Sequence, residues 1–125
     1  MITRLDHANL RTTQLDVMVE WYERILGFTS GWRPPFPFPG AWIYAAAQAL
    51  VHLVTVEGEI PASDNLTLEH VAFSAHGIER FRAHLAAHGE RCEEVRVPGT
   101  NILQFNIWDP DGNHLHIDFD VTEDA

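Results

Sequence analysis

The sequence predicts an α+β protein made of two tandem βαβββ modules, whose sheets form an open cup-shaped barrel. Three observations lead there. Two amphipathic helical stretches each stop at a glycine, short runs of branched and aromatic residues fill the rest, and landmarks recur at a near-constant offset. His7 and His70 are 63 positions apart, Gly27 and Gly89 are 62 apart, and His52 and His116 are 64 apart. The expected layout is a first module at 1–57, a linker at 58–65 within the polar stretch Glu57–Asn65, and a second module at 66–125, together one domain.

The elements follow in order. A strand is expected over Ile2–Leu10. A helix then starts near Leu15, with Met18, Val19, Tyr22 and Leu26 at the three-four spacing of one apolar face. Thr13 is positioned to cap it, Asp16 follows three residues later, and Gly27 suits a left-handed stop. Strands are expected near Thr29–Arg33, over Trp42–Ala47 and over Ala49–Val56. The second module repeats the order with Leu68–Ser74, a helix from Ile78 carrying Phe81 and Leu85 and ending at Gly89, then Glu93–Val97, Ile102–Trp108 and His114–Phe119. Asp109-Pro110-Asp111-Gly112 is a type I turn signal that makes the last two strands a hairpin.

Composition narrows the function classes. A chain of 125 residues with 46% apolar and 21% charged residues is an ordinary globular unit, large enough to bury a core without disulfides. Its single cysteine, Cys92, excludes an intrachain disulfide and reads as a structural thiol rather than a nucleophile. The formal net charge of −10 argues against nucleic acid, whose phosphates need clustered Lys and Arg. No apolar run is long enough to span a bilayer, and the N-terminal residues lack the pattern of a signal peptide. A soluble, cytoplasmic protein that binds neither nucleic acid nor membrane is expected.

Eight histidines in so short a chain are the compositional oddity. Strand residues alternate faces, so Leu115, Ile117 and Phe119 should pack on the helix while His114, His116 and Asp118 face the other way. The same alternation turns His70 inward with Leu68 and Ala72, and His7 inward with Leu5 and Asn9. His52 lies opposite the face of Val51 and Leu53. A lone strand histidine is ordinarily a hydrogen-bonded structural residue. Four at duplicated positions favour a metal site, for which imidazole suits Zn, Fe, Ni, Co or Mn. His84 and His88 on the second helix read as a solvated flank, His76 as a turn residue, and His114 as a support behind the ligands or a rim residue.

Between the histidines, Arg33–Gly40 is stiffened by Pro34, Pro35, Pro37 and Pro39. It either covers a sheet edge, with Phe36 and Phe38 tucked onto core or a partner chain, or forms an apolar rim on the cup with Trp42 and Tyr44 further in. Arg4, Arg11 and Arg33 are either substrate-neutralising cations or surface charge. The candidate substrate-binding residues are therefore Arg33, Trp42, Tyr44 and His114.

The segments Leu-Asp-His-Ala-Asn-Leu, Trp-Tyr-Glu-Arg-Ile-Leu-Gly-Phe, Glu-His-Val-Ala-Phe and Asp-Pro-Asp-Gly-Asn-His-Leu-His-Ile resemble the module starts and final hairpin of the vicinal oxygen chelate superfamily, which includes glyoxalases, bleomycin-resistance proteins and dioxygenases. The resemblance covers essentially the whole chain, and the Arg-Pro…Phe-Pro-Gly-Ala-Trp stretch is similar to a glyoxalase-I-like branch. It implies a divalent ion held by His7, His52, His70 and His116, and lyase or isomerase chemistry on a small substrate with vicinal oxygens. Extradiol-type dioxygenase activity, for which Asp118 could supply a carboxylate, and non-enzymatic binding of a drug or metabolite are the alternatives. Short-linker relatives also imply a homodimer.

One departure matters. Glyoxalase I usually has glutamate where this chain has His52 and His116. Two imidazoles and two carboxylates around a divalent ion nearly cancel its charge, whereas four imidazoles leave about +2, which favours substrates binding as a carboxylate, enediolate or catecholate. With the glutamate base missing, proton transfer falls to His52 or His116, to His114, or to a metal-bound hydroxide.

Overall fold

Branched and aromatic segments separated by turn residues form two separate sheets in the computed structural model, which describes residues 1–60 and 66–123. The chain divides into two compact units, Met1–Ile60 and Pro61–Ala125. Most of the expected linker, residues 61–65, lies outside the described residues.

The first unit contains β1 (Ala8–Thr12), α1 (Leu15–Arg24), β2 (Thr29–Gly31), β3 (Gly40–Ala45) and β4 (Gln48–Thr55). The second contains β5 (Val71–Ser74), α2 (Ile78–Ala87), β6 (Glu93–Arg96), β7 (Ile102–Trp108) and β8 (His114–Asp120). The sheet orders are β1-β4-β3-β2 and β5-β8-β7-β6. In each, the first strand pairs in parallel with the last and the other pairings are antiparallel. The α+β class and the two βαβββ modules are therefore as the sequence predicts.

Apolar periodicity places the cores. Met18, Trp21 and Tyr22 of α1 and Ile25 just after it are buried at the spacing of a single helical face, together with Ile43, Val51 and Leu53 of the sheet. The buried face is rotated slightly from the expected one, with Val19 and Leu26 only half-buried. In the second unit, Phe105 and Phe119 are fully buried and Phe81 of α2 packs on both, with ring centroids 5.5 and 5.6 Å apart. Aromatic pairs of this spacing contribute about 0.5–1.5 kcal/mol each beyond the area they bury. Leu115 and Ile117 join this core, which leaves the opposite face of β8 to His114, His116 and Asp118.

Four local expectations are corrected. The first strand starts at Ala8, not Ile2, because its pairing with β4 begins at Ala8 opposite Val51; Ile2 and Leu5 are exposed. For the same reason the first strand of the second unit starts at Val71, opposite Leu115, and Leu68 is exposed. Thr13 does not cap α1. Gln14 precedes the helix without a side-chain capping bond, and its N–H donates instead to Thr12 Oγ1 at 3.0 Å. The third strand was expected to reach Ala47, yet Ala46 and Ala47 form the β3–β4 turn with φ of 51° and 64°. A two-residue hairpin needs positive φ at both positions, which alanine adopts only with strain.

Glycine stops the helices as expected. Gly27 has φ of 74°, and the Phe28 N–H reaches back to the Tyr22 carbonyl at 3.1 Å. The β7–β8 turn is held by Asp109, whose Oδ1 accepts from the Asp111 and Asn113 N–H groups, both at 3.0 Å. No helix among the described residues is long and apolar enough to cross a membrane.

Backbone strain makes the first prediction. Replacing Ala46-Ala47 with Asn-Gly should raise stability by about 1 kcal/mol in urea unfolding, because both residues tolerate positive φ. Gly27→Ala should lower it by about 1 kcal/mol, since a Cβ there meets nothing within 4 Å and only backbone strain changes.

Candidate metal centre and adjoining cavity

Strand register brings the candidate histidines together in pairs. Asn9 lies beside His52 and Ala72 beside His116 in the two parallel pairings. His7 and His70 precede those partners by two residues, so they share their face and sit diagonally across from His52 and His116. The rings meet accordingly. His7 stacks on His52 at 3.7 Å between centroids, and His70 stacks on His116 at 3.8 Å.

In each unit the acid before the first histidine fixes that ring. Asp6 Oδ1 bonds His7 Nδ1 at 2.8 Å, and Glu69 bonds His70 Nδ1. This leaves Nε2 of both histidines to face outward, and their side chains remain 37% and 38% exposed. A carboxylate on the far nitrogen is the usual support of a metal-ligating histidine. The hydrogen bond from His7 holds the Asp6 carboxyl below its ordinary pKa, and those from His70 and then His114 do the same for Glu69. Sequence reasoning missed these two acids. The signal was present as Asp-His and Glu-His at the same 63-residue offset.

The two sites then differ. His52 is directly opposite Trp42 on β3 and stacks on its indole at 4.0 Å, giving a column His7–His52–Trp42. His116 is opposite Asn106 instead. Asn106 Nδ2 donates to the Glu93 carbonyl at 3.1 Å, which orients its Oδ1 to accept from His114 Nε2 at 2.9 Å. His114 Nδ1 bonds Glu69 Oε1, also at 2.9 Å, and its ring stacks on Trp108. Arg91 covers the ring of Trp108 at 3.6 Å.

His70, His114 and His116 offer nitrogens within 4.8 Å of one another, close enough to surround one ion. Both nitrogens of His114 already have hydrogen-bond partners, so it fits better as a support for the other two. His116 Nδ1 is the opposite case. It is buried in a residue only 9% exposed, with no hydrogen-bond partner among the described residues. An unanswered buried nitrogen costs about 1–3 kcal/mol, which a bound ion would offset. The donor set thus fits a divalent metal.

The first unit also holds a cavity of about 590 Å³ lined by His7, His52, Arg4, Arg33, Phe36, Phe38 and Trp42, among others. Of the four candidate substrate-binding residues, Arg33 and Trp42 lie on it. Tyr44 does not line it; its hydroxyl donates to the Trp32 carbonyl and its ring packs against Gly31. His114 belongs to the second unit's histidine cluster. Arg11 is exposed and also lies off the cavity, and His84 and His88 pair with each other on α2 at 4.6 Å. Burial pushes the Cys92 thiol up to about 11, which leaves it protonated near neutral pH and suits a structural residue.

Burial, and next the charge of His7, holds the His52 pKa below its ordinary 6.5. His116 is lowered from 6.5 by burial, then by His70 and His114. Both imidazoles are therefore neutral, as ligands must be. Below pH 6.5 the unfolded chain takes up protons at these positions that the folded chain refuses. The thermal midpoint of metal-free protein should therefore fall as pH drops from 7.5 to 5.5, and the fall should be smaller in a His52→Gln/His116→Gln variant.

The comparisons with known proteins agree with this architecture. A protein from Bacillus anthracis ascribed to the glyoxalase family is 19% identical with a TM-score of 0.81, over 96% of this chain and 97% of that one. A virulence protein from Salmonella typhimurium is 24% identical with a TM-score of 0.70, over 95% and 98%. A genomically encoded fosfomycin resistance protein from Listeria monocytogenes is 14% identical with a TM-score of 0.74, over 95% and 94%. No curated protein matches the chain in sequence. Members of the matching superfamily usually use a divalent metal. The family model spans residues 4–117, and the chain belongs to the Glyoxalase/Bleomycin resistance protein/Dioxygenase superfamily.

Proposed function

We propose that the protein is a divalent-metal-dependent lyase or isomerase acting on a small anionic substrate with vicinal oxygens, with His7, His52, His70 and His116 as metal ligands. The observation that carries this reading is the duplicated stacked pair, His7–His52 and His70–His116, with the first histidine of each anchored at Nδ1 by an acid. A bound Zn, Ni, Co, Mn or Fe ion supplies Lewis-acid polarisation of the two substrate oxygens.

The chain's own residues do the rest. Asp6 and Glu69 orient His7 and His70. His114, held by Glu69 and Asn106, keeps the His70–His116 pair in place at its edge. His52 or His116, when released from the ion so that its ring nitrogen is free, is the proposed proton carrier. Its lowered proton affinity favours giving back a proton once taken, which suits transfer between neighbouring substrate carbons. Trp42 and Arg33 orient the substrate from the cavity wall. The family's frequent use of dimers makes a homodimer part of the proposal.

A second reading, a ring-cleaving dioxygenase, is favoured by Asp118. Its Oδ1 is buried without a hydrogen-bond partner among the described residues, on the strand face of His116. Two histidines and one carboxylate are the ligand set of non-haem iron oxygenases.

Adding Ni, Zn, Co, Mn or Fe(II) to metal-free protein should raise its thermal midpoint. His7→Ala, His52→Gln, His70→Ala and His116→Gln should each reduce that rise, and a His84→Ala/His88→Ala variant should keep it. Asp6→Asn or Glu69→Gln should weaken metal affinity by about 10–100-fold. His116→Glu should retain metal but lose preference for anionic substrates. Loaded protein should convert dicarbonyl–thiol adducts without consuming oxygen. Oxygen uptake with catechols would establish the dioxygenase reading instead, and tight ligand binding without turnover would indicate a binding protein. A midpoint indifferent to all five metals would remove the metal reading.

A further inference from the structure

The Pro-Phe loop does more than line the first unit's cavity: it holds Arg33 rigid. The guanidinium carbon lies 5.0 Å from the Phe36 ring centre and 5.1 Å from that of Phe38, and these rings stack on each other at 5.1 Å. Its Nη2 donates to the Phe38 carbonyl at 3.0 Å. Gly40 provides the seat beneath it, since a Cβ there would stand 2.9 Å from the same Nη2. Pro35, Pro37 and Pro39 limit the loop's freedom to collapse away from this shape.

The charge so held has no carboxylate counter-ion among the described residues. In a chain with 18 Asp and Glu against 8 Lys and Arg, no acid among the described residues pairs with Arg33. The cavity's other arginine, Arg4, lies 4.0 Å from Asp6 and donates to Gln48. A guanidinium carries five donors in a planar fork, and the Phe38 carbonyl accepts from only one nitrogen. Arg33 borders the cavity that is also lined by His7, His52, Phe36, Phe38 and Trp42.

We infer that Arg33 is the anchor for an oxyanion, a carboxylate or phosphonate, on a compact organic acid whose apolar body packs against Trp42, Phe36 and Phe38. The inference deepens the proposed function by naming what the substrate carries besides its vicinal oxygens. It makes Arg33 a specificity determinant, and the rings around it lower the entropy lost when the anion docks.

Calorimetric titration of metal-free protein tests this separately from the metal reading, because no ion is present to bind the anion. Benzoate and its uncharged analogue benzamide are the probes, with phenylphosphonate as the second oxyanion. Wild-type protein should prefer at least one of the two anions over benzamide by about tenfold or more. Arg33→Met should abolish that preference, bringing the anions down to the affinity of benzamide for the same variant. Arg33→Lys should recover only part of it, since an ammonium lacks the bidentate fork. Equal binding of benzamide and both anions by wild-type protein would overturn the inference, as would full anion preference in Arg33→Met. If Arg33→Met fails to fold by circular dichroism, the wild-type comparison and Arg33→Lys decide it. Loss of the metal-induced rise in midpoint with anion preference intact would remove only the metal reading.

Discussion

Parallel pairing between the first and last strands of each unit decides where every candidate ligand stands. It places Asn9 beside His52 and Ala72 beside His116, so the histidine two residues upstream reaches its partner diagonally on the same face. A slip of one residue would turn His52 or His116 into the apolar core and bring Val51 or Leu115 out. Core packing resists that slip. Val51, Leu53, Leu115 and Ile117 are at most 4% exposed, and each alternates with a polar or half-buried neighbour. The site's geometry is in this sense a by-product of core packing on the other side of the sheet.

Duplication supplies two versions of the same pair, and the β3 and β7 neighbours make them unequal. Trp42 continues the first pair into a stacked column and forms a cavity wall. Asn106, at the equivalent register in the second unit, turns away from stacking and fastens His114 through a hydrogen bond. The first pair thus adjoins an aromatic wall, and the second lies beside a hydrogen-bonded imidazole. This division follows from the residue opposite the last-strand histidine, from the Pro-Phe loop of the first unit, and from His114, whose position in the first unit is held by Leu50.

Electrostatics reinforce the same arrangement. The chain is strongly acidic, yet the acids nearest the histidines, Asp6 and Glu69, bond their far nitrogens and leave His52 and His116 to be tuned by burial. Arg4, Arg33 and Asp6 line the first unit's cavity, so its lining carries more basic than acidic side chains in a chain of net charge −10. Side-chain placement rather than net charge sets such a local field.

Both βαβββ modules, their helices with glycine stops, the final hairpin and four histidines at duplicated positions were legible in the sequence, whereas the stacking of His7 on His52 and of His70 on His116 was not. Each legible feature is written in short-range periodicity or in a repeat offset, which a linear reading can follow. Strand ends at Ala8 and Val71 were not, because a strand begins where its partner begins. The roles of Asp6, Glu69 and Asn106 were equally hidden, although the acid-histidine repeat was in view. The Ala46-Ala47 turn ran against residue preference and was overruled by the register of β3 on β4. Face and repeat are properties of local sequence. Which nitrogen is held, which ring lies beside which, and which of the two cavity arginines lies near an acid were decided only by residues that meet across strands and loops.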